Sequence, residues 1–148
     1  MNPNTRFKQD CRNSAAAPYF TLADKVNTIL ADAQKLIAEA GMSDFRTSGS
    51  AYTASSDKNI FPTKFIPIDQ ILPLVRGPGI HNFDRDRALS ILTAMQTNQP
   101  IEPIHVDQPR TLVEPFRYRL YDGFHRFNLS VALGFTHIWA YINPSSEP

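Results

Sequence analysis

Val26, Ile29, Leu30, Ala33, Leu36 and Ile37 recur at helical spacing, which predicts a surface helix over residues 21–40 that packs by one face. Thr21 and Asp24 form a variant capping box at its start, and Gly41 ends the pattern. A second helix is expected over residues 83–97, where Ala88, Leu89, Ile91, Leu92 and Met95 supply the packing face and Asp84 and Asp86 sit near the start. Residues 116–121 alternate apolar and basic side chains, the period of a half-buried strand. From Phe127 the period becomes helical, with Phe127, Val131 and Phe135 on one stripe, Leu129 and Leu133 beside it, and Gly134 as the C-cap of a helix over residues 125–133. Short strands are expected at 64–68, 103–107 and 137–142, a single helical turn at 69–74, and a loop at 108–115. Two helices among four short strands, preceded by the longer helix, make an α+β chain with a small mixed sheet, packed helices and an N-terminal helical extension.

The change of period falls inside Leu120-Tyr121-Asp122-Gly123-Phe124-His125-Arg126. Gly123 is placed in the turn, and His125 and Arg126 in the first helical turn. Free backbone N–H groups and the positive end of the helix dipole gather there, so main chain, imidazole and guanidinium together form an anion site. A plainer reading makes Asp122 an N-cap, Gly123 a turn residue, and the two basic residues a solvated first turn. Cations at a helix N-terminus are unfavourable by roughly 0.3–1 kcal/mol, which argues for an anionic companion. Upstream, Arg76 and His81 flank a Gly77-Pro78-Gly79 loop whose glycines allow close approach of backbone to a ligand.

Composition narrows the partners. With 15 Lys and Arg against 14 Asp and Glu in 148 residues, no global excess of charge recruits nucleic acid or an acidic membrane. The single cysteine, Cys11, excludes an internal disulfide framework and fits a reducing, cytoplasmic setting; it reads as structural or incidental. No run of about 18 apolar residues is present to span a bilayer, and the polar first ten residues lack an apolar signal region. Residues 1–18 read as an arm, and 43–59, rich in Ser, Thr and Gly, as a loop or linker. The expected division is an N-terminal arm, helix and linker at 1–60 and a main domain at 61–148. His81, His105 and His137 lack metal-ligand spacing.

From about Phe65 to Ile142 the chain resembles the ParB/sulfiredoxin superfamily: a strand with Pro-Ile, a helix, a strand with Pro-Ile-His-Val, a strand running into Asp-Gly-x-His-Arg and a helix, then Leu-Gly and a last strand. Within it the chain looks most like sulfiredoxin, whose loop arginine, helix-borne basic residue and serine, and Gly-Cys-His-Arg turn correspond to Arg76, Arg87, Ser90 and His125-Arg126. Phe124 stands where sulfiredoxin carries its nucleophilic cysteine, so sulfinic acid reductase activity is not expected. The resemblance implies a site for ATP or CTP, with Gly123, His125, Arg126 and Arg76 on the phosphates and Arg87, Ser90 and Thr93 toward the nucleoside. Ser90 reads equally well as an ordinary exposed helix residue, and Arg87 as a partner of Asp84.

In free-serine kinases of the superfamily the turn reads Asp-Gly-His-His-Arg, and its aspartate is implicated in activating the acceptor hydroxyl or organising Mg²⁺. By that resemblance Asp122 and His125 are the catalytic candidates, Asp122 the metal candidate, and Glu102 and Asp84 weaker second carboxylates. The implied activity is that of a Mg²⁺-dependent phosphotransferase, kinase or hydrolase of ATP acting on an unidentified small-molecule or protein acceptor. A ParB-like nucleic-acid module, as nucleotide switch or nuclease, is the alternative; it is not favoured, because the chain lacks the Gly-Glu-Arg-Arg type turn and has only six residues after Ile142 for a following helix-turn-helix domain. A non-catalytic binding protein on the same fold is the third reading.

Overall fold

The computed structural model describes residues 22–45, 52–55, 63–77 and 80–143. Among them are three helices, α1 (Leu22–Glu39), α2 (Arg85–Gln96) and α3 (Phe124–Leu133), and five strands, β1 (Thr63–Pro67), β2 (Ile71–Leu72), β3 (Ile104–Asp107), β4 (Tyr118–Asp122) and β5 (His137–Ile142). The class is α+β. Thr21, Cys11, Pro78 and Gly79 lie outside the described residues, as do residues 1–18, and with them the capping role of Thr21 and the reading of Cys11.

The strands form one mixed sheet in the order β1-β5-β3-β4-β2. β1 and β4 run antiparallel to β5 and β3 respectively, while β3 runs parallel to β5 and β2 parallel to β4. The expected helical turn at 69–74 is corrected here. Residues 68–70 form a 3₁₀ turn, and Ile71 and Leu72 then pair with Tyr118 and Arg119 as an edge strand. Two residues are too few to show an alternating pattern, and pairing across the sheet, not local propensity, makes them a strand.

The helices end as their sequences require. Gly41, at φ +73°, closes α1 with Met42 N–H donating to the Ile37 carbonyl and Gly41 N–H to that of Ala38, and Gly134, at φ +88°, closes α3 with the same pair of bonds from Phe135 and Gly134. Ile29, Ala33 and Ile37 of α1 are buried, and α1 packs on α3 and α2. Ala33 and Ile37 share one hydrophobic core with Leu92, Ile104, Val106, Leu129 and Ile138. Tyr52, from the stretch expected to be a loop or linker, belongs to the same core. It is held there because Ala54 bridges to Ile101, with Ile101 N–H donating to the Thr53 carbonyl and Ser55 N–H to that of Ile101.

Candidate functional site

β4 delivers Asp122 to the top of the sheet and Gly123 turns the chain into α3 with φ +107° and ψ 35°. Only glycine fits. A Cβ at this position would lie 2.7 Å from Ile104 Cγ2, and the backbone is left-handed. The helix starts at Phe124, one residue earlier than the periodicity predicts. Gly123 itself is the N-cap, and no side chain caps α3, so Asp122 is not the cap that the plainer reading made it. Nor is the first turn solvated: His125 is 6% exposed and the Arg126 side chain 15%.

Each basic residue of this turn is fastened. His125 Nε2 accepts from the backbone N–H of Asp84 at 2.8 Å, so the start of α3 is bonded to the start of α2. A neutral imidazole that accepts through Nε2 carries its proton on Nδ1. Burial, first, and then the Arg76 and Arg87 guanidiniums push the His125 pKa down to about 4, with Asp84 opposing and Arg126 adding to the fall. His125 therefore stays uncharged at neutral pH. Arg126 Nη1 donates to the carbonyls of Glu102 and Pro103, each at 3.0 Å, and its guanidinium pairs with Glu102 at 3.6 Å and Asp122 at 3.7 Å. Asp84 caps α2 by accepting from the Arg87 N–H at 3.0 Å, which holds its carboxyl below the usual range.

A cavity of about 320 Å³ opens between these two helix starts. Asp122, Gly123, Phe124, His125 and Arg126 line one side of it. Arg76, Leu74, Val75 and Ile80 come from the loop after β2, and Arg87 and Ile91 from α2. Arg76 lies with Cζ 4.4 Å from the centroid of the Phe124 ring, and its buried Nε has no hydrogen-bond partner among the described residues. Phe124 is buried against Phe83, ring centroids 5.5 Å apart. Among the described residues neither Arg76 nor Arg87 has a carboxylate within ion-pair distance.

The structure thus gathers Gly123, His125, Arg126, Arg76, Arg87 and Asp122 around one cavity. It does not bring Ser90 or Thr93 there; both are exposed, and the cavity face of α2 carries Arg87 and Ile91, four residues apart. His81 and Glu102 are exposed and outside the lining as well. Sequence reasoning missed the apolar residues of the lining, Leu74, Val75, Ile80 and Ile91. The signal was available in the helical spacing of Arg87 and Ile91, but Ile91 read as core. For Mg²⁺, no three His, Cys, Asp or Glu side chains converge among the described residues, and Asp122 is the cavity's one carboxylate. That donor set does not fit an ion held by protein groups alone.

No family model and no curated protein matches the sequence. Several solved structures are similar to it, among them these two. One is the C-terminally truncated chromosome-partitioning protein ParB from Caulobacter crescentus complexed with CTP-γ-S, at 13% identity and TM-score 0.44, covering 57% of this chain and 46% of that one. The other is sulfiredoxin from Arabidopsis thaliana, at 20% identity and TM-score 0.40, covering 56% and 85% respectively. The chain resembles ParB and sulfiredoxin. It spans less than half the length of the ParB chain. No described helix is long and apolar enough to cross a membrane.

Proposed function

We propose that this protein binds a nucleoside triphosphate, ATP or CTP, with the phosphates in the cavity between the starts of α2 and α3. The observation that carries the proposal is the charge balance at that cavity. Among the described residues Arg76 and Arg87 line it with no carboxylate in ion-pair distance, Arg126 lines it while paired with Glu102 and Asp122, and the start of α3, which no side chain caps, adjoins it with Asp122 as the one carboxylate in the lining. Like charges gathered at a helix N-terminus raise the energy of the empty site, and an anion relieves it. Burial is the main cause of the lowered His125 pKa, and the Arg76 and Arg87 guanidiniums beside it add to the fall. Arg76 and Arg87 would pair with phosphate oxygens, while Nδ1–H of His125 is the donor left over from its bond to Asp84.

A second reading adds chemistry, and one observation favours it. Asp122 lies on the rim of the cavity with its side chain 68% exposed, where it could accept a proton from an acceptor hydroxyl approaching from solvent. His125 is less suited to that role, because Nε2 is committed to Asp84 and the ring gains a proton only near pH 4.

Isothermal titration of ATP and CTP, each with and without Mg²⁺, tests the binding. Arg87→Gln should weaken the nucleotide about ten-fold, the loss of a charge-assisted contact, and Asp122→Asn should leave affinity within about three-fold. Absence of heat and of any thermal shift with every nucleotide would refute the proposal. Phosphate release by the parent and by Asp122→Asn separates the second reading from binding alone; equal rates would dismiss Asp122 as a base.

A further inference from the structure

Two of the cavity's arginines are held in opposite ways. Arg126 donates to the Glu102 and Pro103 carbonyls and pairs with the Glu102 and Asp122 carboxylates, so its donors and its charge are engaged within the protein. Among the described residues Arg76 has no carboxylate in ion-pair distance, and its buried Nε has no hydrogen-bond partner. What Arg76 does touch is a ring. Its Cζ lies 4.4 Å from the centroid of Phe124, inside the roughly 6 Å over which a ring's quadrupole attracts a cation.

The ring is itself fixed. Phe124, the first residue of α3, is 5% exposed and packs on Phe83 with centroids 5.5 Å apart, and Phe83 stands immediately before Asp84, the N-cap of α2. Phe83 also meets the His125 ring edge-on at 5.3 Å, and His125 accepts from the Asp84 N–H, so the ring belongs to one packed unit with both helix starts. Arg76 arrives from the loop after β2 and is set against that unit.

The kind of holder decides what the guanidinium can do. A carboxylate would occupy its N–H groups and cancel its charge. An aromatic ring attracts the cation through its π electrons and leaves the N–H groups able to donate to ligand oxygens. Without a holder, a long arginine side chain spreads over many rotamers, and affinity for a ligand that needs one of them falls with the fraction in that rotamer.

From this geometry we infer that Phe124 is a positioning residue for the nucleotide: its ring holds the Arg76 guanidinium at the cavity with charge and donors uncommitted, ready for the phosphates. The inference rests on the nucleotide-binding reading and adds to it that the aromatic character of Phe124, beyond its bulk, sets affinity.

The test is isothermal titration of the full chain with ATP and with CTP while the ring at residue 124 is altered. Phe124→Leu keeps a large apolar side chain without the π electrons and should weaken the nucleotide about five-fold or more. Mono-, tri- and pentafluorophenylalanine at the same position keep the shape of the ring and withdraw its electron density in steps, which decides the matter even if Phe124→Leu fails to fold. Affinity should fall step by step along this series, and in an Arg76→Gln background the series should be flat. A pentafluorinated protein that binds as tightly as the parent would overturn the inference, as would a slope that survives Arg76→Gln. If the parent binds neither ATP nor CTP, the nucleotide-binding reading falls and this inference with it, an outcome distinct from a parent that binds and a series that does not respond.

Discussion

Acidification should uncouple α3 from α2 through one imidazole. The unfolded chain takes up a proton on His125 near pH 6.5, whereas the folded protein holds it off until about pH 4. Between those values the unfolded state binds more protons, so stability falls as pH drops through the window, is complete above it, and loses nothing further from this group below it. At about 1.4 kcal/mol per pH unit the gap corresponds to roughly 3 kcal/mol, and solvent reaching the ring edge brings the expected figure to about 2–3 kcal/mol. Structurally, protonation fills Nε2 and turns it from acceptor into donor, so the 2.8 Å bond from the Asp84 N–H cannot persist. The assay is urea unfolding at intervals from pH 7 to pH 4 for the parent and for His125→Gln, which does not titrate. Carboxylates shared by both proteins cancel in the difference. The parent should lose about 2–3 kcal/mol more than the variant across the window. Parallel pH profiles would refute the reasoning, because they would mean that His125 is protonated as readily in the folded as in the unfolded chain.

Gly123→Ala should destabilise the fold by about 2–4 kcal/mol in denaturant unfolding, since the added Cβ meets Ile104 at 2.7 Å and the left-handed backbone is strained with any side chain; a loss under 0.5 kcal/mol would show that the turn relaxes freely. Arg126→Ala should lower stability by about 1.5–3 kcal/mol as well as weakening nucleotide, because its guanidinium bonds two carbonyls of the loop before β3. Arg87→Gln, at an exposed guanidinium, should change nucleotide affinity while thermal unfolding of the free protein stays within the error of the measurement.

Local pattern determined much of this molecule. The stripe from Val26 to Ile37 with Gly41 behind it specifies α1, because helical periodicity and a left-handed C-cap are encoded within a few residues of one another. The period change around Gly123 likewise specifies a strand-turn-helix junction, and a glycine was required there by the approach of Ile104. What is decided between distant segments was not legible. Ile71 and Leu72 became a strand only by pairing with Tyr118 and Arg119, and Tyr52 became core only through the bridge from Ala54 to Ile101. The site divides in the same way. Its residue types around the turn were readable, but which residues of α2 border the cavity, Arg87 and Ile91 and not Ser90 or Thr93, depends on how α2 packs against α3. The roles of His125 and Phe124 were set by Asp84 and Arg76, 41 and 48 positions away in sequence. A hydrogen bond from a backbone N–H and a ring beneath a guanidinium leave no periodic trace in a sequence, so only the packed structure could assign them.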